Sequence, residues 1–166
     1  MALNYTKKTL DHFLKPKNVG RIAKADGYAQ IGNMVCGDQL DFFLKVEKGK
    51  IKDVKFLSFG CASNIATASV LTEKVKGMTI AQAKAYKWQK IVDDLGGLPH
   101  QKVHCSVMAV DGLKKAIANY ETNQAVKKEL VQVAGKKIKS IVKEKKSSKP
   151  ILRKSSVKSL KKNIKK

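Results

Sequence analysis

The spacing of apolar and polar residues changes several times along this 166-residue chain. From Thr6 to Leu14, Leu10, Phe13 and Leu14 recur at i, i+3 and i+4, which predicts a short helix that Pro16 and Gly20 end. Residues 21–35 read as loop, with a short strand expected near Tyr28–Ile31. Two strands follow, Leu40 to Val46 and Ile51 to Phe59, joined by Glu47-Lys48-Gly49-Lys50 as a hairpin turn. Helix formers dominate from Ala62 to Lys76, and Gly77 closes that helix. Thr79 is placed to cap the next one, Ile80 to Tyr86. A looser segment reaches Leu95, and Gly96-Gly97-Leu98-Pro99 is a break. Cys105-Ser106 then opens a helix through Tyr120, with Val107, Val110, Leu113, Ile117 and Tyr120 on its buried side. Beyond Glu121, Val126, Leu130, Val133, Ile138, Ile141 and Val142 recur at helical spacing among lysines until Ser147-Ser148-Lys149-Pro150. Val157, Leu160 and Ile164 repeat that pattern weakly between Ser155 and Lys166.

Length and charge divide the chain in two. The expected organisation is one domain over 1–121 and a lysine-rich extension over 122–166, partly helical or disordered. The formal net charge is +22, and residues 136–166 hold fourteen Lys/Arg against the single acid Glu144, a balance of +13. Such an extension is expected to be solvated, and it suits contact with an acidic protein, a nucleic acid or an anionic membrane. It has no aromatic residue for base stacking and only one arginine, Arg153, which weakens sequence-specific nucleic-acid recognition. No apolar run approaches the ~18 residues of a membrane span. Met1 to Phe13 lacks the apolar core of a signal peptide, and Asp11 with little arginine argues against a transit peptide. The expected location is cytoplasmic.

Candidate chemistry rests on three cysteines, which cannot all pair within one chain and so argue against a disulfide framework. They stand in Cys36-Gly37-Asp38, Phe59-Gly60-Cys61-Ala62-Ser63 and His104-Cys105-Ser106. Thiolates are soft ligands that suit zinc and iron–sulfur clusters, and a carboxylate or imidazole can fill a fourth position. Cys61 and Cys105 both fall at expected helix N-termini, which lower a thiol pKa. Taken singly, each cysteine reads equally well as a small buried hydrophobe, and His100 and His104 as loop or surface histidines. No C-x-x-C pair is present. The residues themselves therefore indicate a candidate metal or sulfur site.

Together the motifs resemble the iron–sulfur cluster assembly scaffolds of the IscU and NifU N-terminal type. Tyr5-Thr6-Lys7-Lys8-Thr9-Leu10-Asp11-His12-Phe13 and Pro16-Lys17-Asn18-Val19-Gly20 are similar to that family's opening segment, and the three cysteine motifs follow in its order. The resemblance covers roughly residues 4–121. It implies an α+β fold, a small three-stranded antiparallel sheet packed with helices. It implies a non-enzymatic scaffold that assembles a transient [2Fe–2S] cluster from iron and desulfurase-derived sulfur and passes it to recipient apoproteins. Cys36, Cys61 and Cys105 would then be cluster ligands, with Asp38 or His104 completing the site. Asp38 would keep the cluster labile, Cys105 would accept sulfur, and zinc would fill the cluster-free site. The implied partners are a cysteine desulfurase, recipient proteins, a ferredoxin, a frataxin-like iron donor and an Hsp70-type chaperone. The segment that such a chaperone reads, Leu-Pro-Pro-x-Lys in the family, is here Leu98-Pro99-His100-Gln101-Lys102. Cys61 and Cys105 are too close in sequence for the insertion of the family's zinc-dependent sulfur-acceptor branch, and no second cysteine-bearing module follows residue 121. Two other functions remain compatible with these residues: a zinc-bound sulfurtransferase, and a basic nucleic-acid-binding protein on the same fold.

Overall fold

The computed structural model describes residues 4–34 and 37–147. Helix α1 (Lys7–Leu14) precedes three strands, β1 (Gly27–Asn33), β2 (Asp38–Glu47) and β3 (Lys50–Phe59). Helices α2 (Ala62–Val75), α3 (Ile80–Lys84), α4 (Trp88–Asp94) and α5 (Val103–Ser147) follow, the last entered through a 3-10 turn at His100–Lys102. The strands pair antiparallel in the order β1-β2-β3. The fold is the expected α+β arrangement.

The β2–β3 hairpin turns on Lys48 (φ 51°) and Gly49 (φ 74°). Two successive left-handed residues match the twist of the flanking strands, which is why this two-residue connection is stable. Lys45 faces Asp53 and Val46 faces Ile51, so Lys52 is an extra residue that bulges β3. The bulge lets Ile51 and Val54 both reach the core despite their odd spacing. Leu40, Phe42 and Leu44 alternate on β2 and fill the same face. Helix α5 crosses this sheet closely at Gly112, where a Cβ would lie 2.9 Å from Ile31 Cγ2 and from the Phe42 ring. Helix α2 is buried almost all round, including Thr67, Ser69 and Thr72. Two of its hydroxyls are satisfied locally: Thr67 and Thr72 each donate to a carbonyl three residues back, at 3.0 Å. Ser69 Oγ also meets His12 Nδ1 at 2.9 Å and accepts from the Lys17 amide at 2.8 Å, which ties the α1 segment to α2.

Several elements differ from the sequence expectation. On α1 the buried residue is Thr9, held next to its N-cap Thr6, while Leu10 and Leu14 are 41% and 71% exposed. The apolar spacing is helical, but that face is not the packed one. Strand β1 extends beyond Tyr28–Ile31 at both ends because every residue from Gly27 to Asn33 finds a partner on β2. The looser segment before Leu95 contains α4, anchored by buried Ile91. Helix α5 begins at Val103, two residues before Cys105, and its range passes Tyr120 to end at Ser147. Two compact units divide after Lys127. The first holds the sheet and its helices, and the second is helical from Lys128 to Ser147. Cys36, the Ser148–Pro150 part of the expected break and the Ser155–Lys166 pattern lie outside the described residues. Among the described residues no helix is long and apolar enough to cross a membrane.

Candidate metal centre

Three element beginnings converge here. Asp38 is the first residue of β2, Cys61 is the N-cap of α2, and Cys105 is the third residue of α5. Gly37, at φ 69°, turns the chain into β2 so that Asp38 pairs with Asn33. At Gly60, between β3 and α2, a Cβ would sit 2.5 Å from Asn64 Nδ2 and 2.6 Å from Asp38 Oδ1. Only glycine leaves the Asp38 carboxylate and the Asn64 amide their places beside that turn.

Asp38 Oδ1 accepts the Cys61 backbone N–H at 3.1 Å. Its other oxygen lies 3.6 Å from Cys61 Sγ and 3.7 Å from Cys105 Sγ. The two sulfurs are 3.7 Å apart. One ligand atom from each of the three residues therefore falls within 4.8 Å of the others. Asp38 and Cys105 are buried and Cys61 is half-buried, so the site is more accessible on the Cys61 side. His104 Nε2 lies 3.5 Å from Cys105 Sγ. His100 is exposed in the 3-10 turn.

The thiol pair divides one proton unequally. A hydrogen bond from Cys105 pulls the Cys61 pKa down to about 6, against burial and the Asp38 charge and with help from the Asn64 backbone N–H and Lys102. The same bond pushes the Cys105 thiol up, and burial and the charges of Cys61 and Asp38 push it further. The proton stays on Cys105 and the negative charge on Cys61. Both thiols stand at helix starts, but their shared hydrogen bond is the largest influence on each: it lowers Cys61 and raises Cys105, and burial raises Cys105 further. The Cys61 charge in turn holds Lys102 more firmly protonated.

Two thiols and a carboxylate form a mixed soft and hard donor set that suits tetrahedral zinc or the iron of a cluster, with room for a further ligand. Cys36 stands two residues before Asp38 in the sequence. The sequence reading missed Asn64, Ser63 and Lys102. Asn64 is fully buried in the first turn of α2, its amide nitrogen on Ser58 Oγ at 3.2 Å and its Oδ1 without a partner among the described residues. Ser63 Oγ is likewise buried without one. A cluster of polar residues at the start of an otherwise buried helix was the available signal for the first two. Lys102 stood in view three residues before Cys105.

The model of the NifU-like N-terminal domain matches residues 4–127. The iron–sulfur cluster assembly scaffold protein IscU 1 of Archaeoglobus fulgidus is 48% identical over 116 residues, 70% of this chain and 76% of the relative. The scaffold protein IscU of Aquifex aeolicus is 46% identical over 126 residues, 75% of this chain and 80% of the relative. The crystal structure of the N-terminal part of a nitrogen-fixing NifU-like protein from Brucella abortus shares the fold, with a TM-score of 0.58 over 70% of this chain and 94% of that one at 19% identity. With the sheet, the order of the motifs and the identity in agreement, the chain belongs to the family of NifU-like N-terminal domains that includes the IscU scaffolds.

Proposed function

We propose that this protein is a scaffold on which an iron–sulfur cluster is built and from which it is handed to recipient proteins. The observation that carries the reading is the meeting of Asp38, Cys61 and Cys105 within 4.8 Å in a chain of this family. The cluster is cargo, so the protein is not an enzyme. A [2Fe–2S] cluster is the form proposed, with Cys36 as third thiolate ligand and Asp38 or His104 completing the set. Carboxylate is the harder, weaker partner for cluster iron, which suits a cluster that must leave. Zinc suits the same donors in the cluster-free state. A cysteine desulfurase would supply sulfur. A ferredoxin, a frataxin-like iron donor and an Hsp70-type chaperone are further proposed partners.

Sulfur would arrive by thiolate attack on the outer sulfur of a desulfurase persulfide. A new S–S bond forms on the scaffold as the old one breaks, and the desulfurase thiolate leaves. The family resemblance assigns this step to Cys105. The electrostatics of this chain favour Cys61, which carries the charge and is the more exposed of the two.

The test is anaerobic reconstitution with ferrous iron, cysteine, a reductant and a cysteine desulfurase, followed by visible absorption and Mössbauer spectra. A labile [2Fe–2S] signature that Cys36→Ala abolishes supports the reading, and Asp38→Ala should release its cluster more slowly. Persulfide without any cluster would overturn the scaffold reading in favour of sulfur relay. Mass spectrometry of persulfidated Cys61→Ala and Cys105→Ala proteins identifies the first acceptor.

A further inference from the structure

Asp38, Cys61 and Cys105 all belong to the first unit, and the matched family region ends at Lys127. The backbone of the second unit is helical from Lys128 to Ser147. At about 100° per residue, Leu130, Val131, Ala134, Ile138, Ile141 and Val142 fall within an arc of about 120°. Lys128, Lys136, Lys139, Lys143 and Lys146 fall within a narrower arc on the other side. Lys137 borders the apolar arc, and Lys145 interrupts it in the last turn. Leu130, the described side chain on the apolar arc, is 63% exposed.

We propose that this helix is a docking surface for an anionic lipid bilayer, on which it lies flat with its apolar arc in the acyl boundary and its lysines among the headgroups. The two faces together single out that occupant. A phosphate backbone would use the lysines but leave the apolar arc in water, and no aromatic residue from Lys128 onward could stack on a base. Lysine, a compact hydrated charge, suits a headgroup layer that demands no bidentate geometry. Chain beyond the helix adds Lys149, Arg153, Lys154 and five further lysines without one acidic residue. An apolar arc and a polybasic stretch are the two weak signals that together make stable membrane attachment. This proposal does not depend on the scaffold reading.

The test is co-sedimentation of the full chain with phosphatidylglycerol–phosphatidylcholine vesicles and with pure phosphatidylcholine vesicles, at low and at physiological salt. Binding is expected to the anionic vesicles alone and to weaken as salt rises. Replacing Lys136, Lys139 and Lys143 together by Gln should weaken it on the order of 100-fold. Leu130→Glu with Ile138→Glu should abolish it. Circular dichroism and metal binding at the first unit check that each variant is folded. Equal binding to both kinds of vesicle overturns the proposal, as does no binding to either. An apolar variant that still binds overturns the flat amphipathic helix. Binding of a single-stranded RNA through the same lysines, with vesicles ignored, would replace the bilayer by nucleic acid.

Discussion

Cys61 and Cys105 lie 3.7 Å apart and hold one proton between them. Lowering the Cys61 pKa to about 6 means that its thiolate appears as pH rises through that value and predominates at neutral pH. Iodoacetamide reacts with thiolate, so in cargo-free protein the alkylation rate at Cys61 should rise through about pH 6 and level off above it. Cys105 should stay unmodified over the same range. Peptide mapping by mass spectrometry at a series of pH values checks both, and a Cys61 midpoint near the free-thiol value of about 8.5 would refute the shared proton. The residue types of this site were legible in the sequence: three thiols, a carboxylate two positions after the first, an imidazole before the third. Their division of labour was not. It depends on a contact across 44 residues of chain and on which sulfur faces solvent, and neither leaves a mark on local spacing.

Elements place those residues, and α5 approaches the sheet closely at Gly112, where it meets Ile31 and Phe42. A larger side chain there pushes α5 off the sheet. Gly112→Leu is expected to lose about 1–3 kcal/mol from overpacking. The better helix propensity of leucine works against that loss by less than about 1 kcal/mol. Urea unfolding should show a lower midpoint, and an unchanged midpoint would mean that α5 does not bear on the sheet at this point. The elements most readily read from sequence carried their own punctuation, such as Lys48-Gly49 at the hairpin and the Thr79–Gln82 capping box of α3. Those missed lacked it. Helix α4 has Lys87 as its N-cap, whose side chain makes no capping bond. Strand β1 contains two glycines, so only its middle reads as strand, and pairing with β2 decides the rest. Helix α1 shows a third kind of limit. Periodicity finds a face with Leu10 and Leu14, but tertiary packing chose the face with Thr9.

At the scale of the molecule, one bound ion would join β2, α2 and α5 through Asp38, Cys61 and Cys105. A ligand that binds only the folded state raises stability, by about 2.7 kcal/mol at a hundred times its Kd. Zinc should therefore raise the Tm of the protein, EDTA should reverse the rise, and Cys61→Ser with Cys105→Ser should remove it. Scanning calorimetry measures this, and a zinc-induced rise that survives both substitutions would place the ion elsewhere. Each of these ligands stands within the first three residues of its element or at its cap. Ends of helices and strands open at far lower free energy than the core they border. Unwinding a single turn at the start of α2 or α5 withdraws a thiolate while Phe42, Leu71 and Leu113 stay packed. The grip on the cargo would thus be made of element ends, and delivery would need fraying at one end rather than unfolding of the whole.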